Sequence, residues 1–105
     1  MRGKFQKLFV SNNPEVDRLI SKPIENWTSM DRFSCFKLYY QKYNGRAFRH
    51  NKNYGLMLIM LKRIQLSNKN FVKYLKWLGK NKKLYSLYAL KNHLKYYKSI
   101  EGIYD

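Results

Sequence analysis

No aspartate or glutamate occurs between Arg32 and Ile100. The six acids of the chain are Glu15, Asp17, Glu25, Asp31, Glu101 and Asp105. The interval they leave empty holds seventeen of the 22 lysines and arginines, the other five being Arg2, Lys4, Lys7, Arg18 and Lys22. That absence excludes general acid–base carboxylate pairs and two-carboxylate metal sites from the interval. It also excludes the Glu–Lys pairs that normally stabilise a solvated helical face. The two histidines, His50 and His93, have no nearby acid in sequence to orient them, as a catalytic triad requires. Neither G-x-x-x-x-G-K nor G-x-G-x-x-G occurs. The chain therefore reads as a non-enzyme, with no cofactor and no bound metal.

Cysteine is nearly missing too. Cys35 is the sole one, which excludes an intramolecular disulfide and a cysteine-rich zinc site. Its expected role is a small buried apolar residue. Long apolar runs are lacking. The longest, Leu56 to Leu61, falls far short of the roughly 20 residues a bilayer span requires. The basic start Met1-Arg2-Gly3-Lys4-Phe5 has no secretory-signal pattern behind it.

What is present is charge and apolar matter together. The 105 residues carry a formal +16, and 45% of them are hydrophobic, 17% aromatic. That much apolar content argues against a disordered basic tail. The charge makes a compact free monomer repel itself, and a polyanion relieves the repulsion. The expected object is one short domain that folds against an anionic partner and is not a homo-oligomer.

Punctuation divides the chain. Residues 1–27 read as an extended, irregular N-terminal arm, broken at Asn12-Asn13-Pro14 and Lys22-Pro23. A short helix near Glu15 to Ile20 fits between the breakers, with Asn13 as cap and Pro14 in first position. Thr28 with Asp31 three residues on predicts a capped helix running to about Lys42. Met30, Phe33, Phe36 or Lys37, and Tyr40 lie along its period, and Gly45 suits a left-handed end. A helix is expected over 56–66, with Leu56, Ile59, Met60, Arg63 and Leu66 on one face and Leu58 and Leu61 widening it. Ser67-Asn68 restarts the chain. Phe71, Tyr74, Leu75 and Leu78 are helically spaced, and Gly79 is placed as the stop. A last helix is expected from about Lys83 to Lys98, with Leu84, Leu87, Tyr88 and Leu94 on its face. No strand alternation is evident. The fold class is mostly α with irregular segments, short helices around a small core, and a basic glycine-bracketed loop.

That loop, residues 44–55, is the sharpest feature. Arg46, Arg49 and Lys52 recur every third residue, interleaved with Phe48, His50 and Tyr54. Guanidinium forks match phosphate oxygens, and aromatic rings stack on unpaired bases. Gly45 and Gly55 permit close backbone approach. The bland alternative is an ordinary basic surface loop.

The run Asn44-Gly45-Arg46-Ala47-Phe48-Arg49-His50-Asn51-Lys52-Asn53-Tyr54-Gly55-Leu56 resembles the signature of the small-subunit ribosomal protein fourteen family, T-G-R-P-R-G-x-x-R-x-F-G-L-x-R-I-x-x-R. Gly45, Arg46, Gly55, Leu56 and Ile59 fall at matching spacing. Lys52, Tyr54 and Lys62 stand for a basic, an aromatic and a basic residue of the pattern. Val72, Lys73 and Trp77 resemble the family's terminal G-V-K-K-A-S-W once one residue is deleted. The chain departs from the pattern at Ala47, Phe48, Arg49 and Leu58. It lacks the Gly-Pro loop before the tail, so residues 68–77 are left open between loop and helix. With a single cysteine it is similar to the zinc-free branch. Its divergence, and a composition rich in Lys, Asn, Tyr and Ile, resemble a mitochondrial version.

The resemblance implies a structural constituent of the ribosomal small subunit that binds and stabilises rRNA in the head, beside other head proteins. It implies the mitochondrial matrix, or otherwise a cytoplasmic or other organellar ribosome. The layout is then an arm (1–27), an rRNA-binding core (28–77) and a basic helical extension (78–105). The RNA-binding residues are Arg46, Phe48, Arg49, His50, Lys52, Tyr54, Lys62, Arg63 and Lys73. Trp77 is a core anchor or an RNA stacker, with the core role preferred. Two other readings stand beside this one. One is a free-standing nucleic-acid-binding regulator. The other is a basic amphipathic membrane-binding protein, since basic amphipathic helices also bind lipid surfaces. The preferred reading includes no membrane.

Overall fold

Thr28 and Asp31 form the capping box that their spacing predicts. The Thr28 N–H donates to the Asp31 carboxylate at 2.8 Å, and the Asp31 N–H donates to Thr28 Oγ1 at 3.4 Å. These bonds satisfy two otherwise orphaned donors and start the longest helix. In this computed structural model, which describes residues 14–49 and 54–103, the helices are α1 (Pro14–Ile20), α2 (Ser29–Asn44), α3 (Tyr54–Arg63), α4 (Asn68–Lys80), α5 (Tyr88–Asn92) and α6 (Leu94–Glu101). A 3-10 turn spans Ile24–Asn26. No strand occurs among the described residues.

Helix α2 is the centre. Phe33, Cys35, Phe36, Leu38, Tyr39 and Tyr40 are all buried, on more than one face of the helix. The expected single stripe is too narrow, because α1, α3 and α4 all pack on this helix. Met30, at the end of that stripe, is 41% exposed. Gly45 ends α2 in the left-handed region at φ 71°, and its N–H donates to the Gln41 carbonyl. Cys35 is wholly buried, and burial pushes its thiol well above the ordinary range.

The arm expected over 1–27 divides. Residues 1–13, including the Asn13 cap, lie outside the described residues. Residues 14–27 are docked: Val16 and Leu19 of α1 bury against α2, and Ile24 and Trp27 join the same core. Arg18 donates to Ser34 and lies 3.6 Å from Asp31, and Lys22 donates to Asp31 at 2.7 Å. Asp31 is thus buried but ringed by donors. Burial raises its pKa, but the Lys22 and Thr28 bonds outweigh burial and hold it below its ordinary value.

Arg32 ties the middle of the fold. Its guanidinium donates to the carbonyls of Leu61 (3.0 Å), Ile64 (3.2 Å) and Leu66 (2.6 Å), and to Asn68 Oδ1 (2.7 Å). Its charge lies 5.0 Å from the Phe71 ring centre. Asn68 in turn donates to the carbonyls of Ile24 and Trp27. The last carbonyls of a helix have no internal partner, and here Arg32 supplies one. Helix α3 consequently ends at Arg63 instead of Leu66.

Residues 68–77 are helical, within α4, which Ser67 caps by accepting from the Asn70 N–H at 3.1 Å. Gly79 does not stop this helix. It sits inside α4, and a methyl group there would overlap the Tyr43 ring. The stop is a turn in which Lys82 takes φ 55° and the Lys83 N–H donates to the Leu78 carbonyl at 2.8 Å. The expected helix from Lys83 to Lys98 is two short helices. Asn44 holds the Leu84 carbonyl at 2.8 Å and keeps that stretch out of helix. The Tyr74 hydroxyl donates to the Leu90 carbonyl at 2.7 Å and docks α5 onto α4. Trp77 lies among Tyr74, Tyr96 and Tyr97 at ring separations of 6.3, 6.0 and 5.4 Å, a core-edge position.

Candidate nucleic-acid interface

Beyond Gly45 the chain turns outward, and Phe48 turns it back. The Phe48 ring packs edge-on against Phe36 at 4.9 Å, Tyr40 at 5.2 Å and Phe33 at 6.1 Å. Edge-to-face packing of this kind favours the negative face of one ring against the positive edge of another. The sequence places Phe48 against RNA; in the structure its ring is half-buried and held by α2. The consequence is useful. With Phe48 anchored, Arg46 and Arg49 on either side stand exposed. Arg46 also reaches the Tyr40 hydroxyl at 3.4 Å.

The two arginines line an open cleft of about 590 Å³ with Tyr40, Tyr85 and Ser86. Tyr85 is 53% exposed. Its hydroxyl sits 3.2 Å from His93 Nε2, and the two rings meet edge-on at 6.0 Å. His93 is half-buried against Tyr85. Arg46, Arg49 and an upright, exposed tyrosine ring thus converge from segments that are distant in sequence. Tyr85 escapes a reading of the sequence. The signal for it is an aromatic residue inside the acid-free lysine-rich stretch.

A second groove, of about 610 Å³, adjoins the first and shares Phe48, Arg49 and Ser86 with it. Arg63 lines it, so Arg46, Arg49 and Arg63 lie along one continuous surface. Lys62 and Lys73 are exposed but line neither recess. His50, Lys52 and the Tyr54 side chain lie outside the described residues. The residues expected along one face of α3 divide between inside and outside. Leu56 is 63% and Ile59 is 46% exposed, while Leu61 and Ile64 point inward. Gly55 belongs to the first turn of α3. A methyl group added there would meet nothing within 4 Å among the described residues, so none of them requires glycine at that position.

Among the described residues, no carboxylate lines either recess. The buried acid, Asp31, is already neutralised by Lys22 and Arg18 at α2's first turn. Among the described residues, no three of His, Cys, Asp and Glu gather as a metal site. The arrangement is suited to binding anions and flat rings. Comparison of the chain with protein-family models, curated proteins and solved structures found no match.

Proposed function

We propose that this chain is a structural RNA-binding protein that holds small-subunit rRNA in the head of a ribosome, in a mitochondrion. The observation that carries the RNA reading is the acid-free interval laid out on a folded helical scaffold. Every described lysine and arginine from Arg32 to Lys98 is exposed or half-buried, and Arg32 alone among the described ones spends its guanidinium on a set of backbone carbonyls. From Lys37 to Lys95 the others present positive charge with no acid beside them in sequence to neutralise it. Neutralising phosphates releases condensed counterions and supplies affinity; ring stacking on unpaired bases adds shape specificity. Arg46, Arg49 and Arg63 bind phosphate oxygens in this reading, and Tyr85 stacks. The assignment to the small-subunit head rests on the resemblance of residues 44–62, with Lys62 and Lys73 as further phosphate contacts.

Replacing Arg46 and Arg49 together with alanine is the test. Binding of a single-stranded RNA is expected to weaken, and the slope of log affinity against log salt to fall by roughly one unit per lost phosphate contact. An unchanged slope removes this segment from the interface. Co-migration of the full chain with ribosomal small subunits at moderate salt supports the ribosomal assignment. A monomer that prefers duplex DNA supports a free-standing regulator, and flotation with liposomes supports membrane binding. No helix among the described residues is long and apolar enough to cross a membrane.

A further inference from the structure

We propose that the groove beside α3 docks an acidic amphipathic helix of a partner protein. This goes beyond RNA binding and does not depend on it. The groove is walled by Leu56, Ile59 and Met60 on one side and by Tyr88 and Leu94 on the other. Leu56 and Tyr88 are 63% and 68% exposed, which is unusual for large apolar side chains grouped in one recess. Leu56, Ile59 or Met60, and Arg63 repeat at i, i+3/i+4, i+7 along α3. At about 1.5 Å per residue this face is about 10 Å long, matching two turns of a partner helix.

Charge selects the occupant. Arg49, Arg63 and Lys91 rim the groove, and no carboxylate among the described residues lines it. The α3 wall of Leu56, Ile59 and Met60 offers RNA neither a π face nor a hydrogen bond, which favours a protein occupant over nucleic acid. A second copy would bring +16 against +16. The chain's own residues 1–13 carry Arg2, Lys4 and Lys7 and no acid. A helix with a leucine-type stripe flanked by Asp and Glu satisfies both the apolar walls and the basic rim.

The probe is a fluorescent synthetic helix of Leu and Glu, with Leu at i, i+3, i+4 and i+7, added to the full chain at physiological salt. Its control is a scrambled peptide of equal charge. The amphipathic peptide is expected to bind at least tenfold tighter than the scrambled one. Leu56→Gln with Ile59→Gln is expected to abolish that preference while leaving the circular dichroism spectrum and unfolding midpoint unchanged. Both side chains are exposed, so folding does not depend on them. Equal binding of the two peptides overturns the proposal, as does indifference to the double substitution. A loss of RNA affinity on that substitution reassigns the groove to RNA. Self-association of the native chain, dissolved by the same change, reassigns it to a second copy. Tighter peptide binding after replacing Phe5, Leu8 and Phe9 with Gln reassigns it to the chain's own first residues.

Discussion

The first half of α2 and the outer face of α3 both carry arginine, and they treat it oppositely. Around Asp31 and Arg32, every charge has an internal partner. Asp31 is ringed by Lys22, Arg18 and Thr28, and Arg32 by three carbonyls, Asn68 and the Phe71 ring. Around Arg46, Arg49 and Arg63 the charges stand on open recesses beside exposed Leu56, Ile59, Tyr85 and Tyr88. One region is finished by folding. The other is left open. A small strongly basic domain is stable enough to fold because a few of its charges are used as internal fasteners and the rest are kept outside.

The largest effect comes from making the same change in both regions. Arg32→Met keeps most of the stem volume and removes the fork. It removes one donor from the carbonyls of Leu61 and Ile64, which keep the N–H groups of Ile64 and Leu66, and takes away the donor of the Leu66 carbonyl and of Asn68 Oδ1 in a part-buried site. Unsatisfied acceptors of this kind cost about 1–3 kcal/mol each when fully buried, so a loss of about 3 kcal/mol in urea unfolding is expected. Arg46→Met, on the surface, is expected to change stability by no more than about 0.5 kcal/mol. Burial also lowers the proton affinity of Arg32, but an arginine stays charged at neutral pH, so the difference persists across the neutral range. Equal losses in the two variants would erase the distinction between the regions.

Asp31 sharpens the comparison by pH. Its carboxyl is held below the ordinary 3.8, because hydrogen bonds from Lys22 and Thr28 exceed the cost of burial. A depressed folded-state pKa contributes stability that is fully present above the unfolded value and lost as pH falls through the folded one. Asp31→Asn is expected to cost about 2 kcal/mol at pH 7, the combined loss of a charged cap and a charged bond. The gap between native and variant is expected to stay constant down to about pH 5 and to close below 3.8. A gap that widened in acid would contradict the ring of donors seen around this side chain.

Parts of this architecture are legible in the sequence because they are local. The Thr28–Asp31 box, the left-handed Gly45 and the Ser67 restart each depend on residues within one turn, and each stands where its spacing predicts. The exposed pair Arg46 and Arg49 is legible in the same way. What is not legible depends on distant partners. Arg32 looks like one more surface cation, since its partners are carbonyls, which sequence does not display. The run Leu56 to Leu61 has no polar position to mark which face turns inward, so packing on α2 decides, turning Leu61 in and leaving Leu56 and Ile59 exposed. The packing of Phe48 on three rings of α2 is likewise a tertiary contact that the sequence does not display. The break at Leu84 follows from Asn44, two helices away in the chain.

The smallest effect is a pair of glycines of opposite sign. At Gly79 a methyl group meets the Tyr43 ring, which stacks on Tyr39 at 6.2 Å and so resists moving. Overpacking of about 2 kcal/mol is opposed by roughly 1 kcal/mol of helix propensity, and Gly79→Ala is expected to lose about 1 kcal/mol net. At Gly55 a methyl group meets nothing within 4 Å, and Gly55→Ala is expected to gain about 0.5 kcal/mol, reduced from the mid-helix value by its place in the first turn. Thermal unfolding of the two variants measures both signs. RNA binding then separates two reasons for glycine at position 55. If phosphate backbone approaches closely there, Gly55→Ala is expected to weaken RNA binding several-fold while making the free protein more stable. Stability and binding moving in opposite directions at one residue is the mark of a position shaped by its partner, whereas Gly79, shaped by Tyr43, changes stability alone.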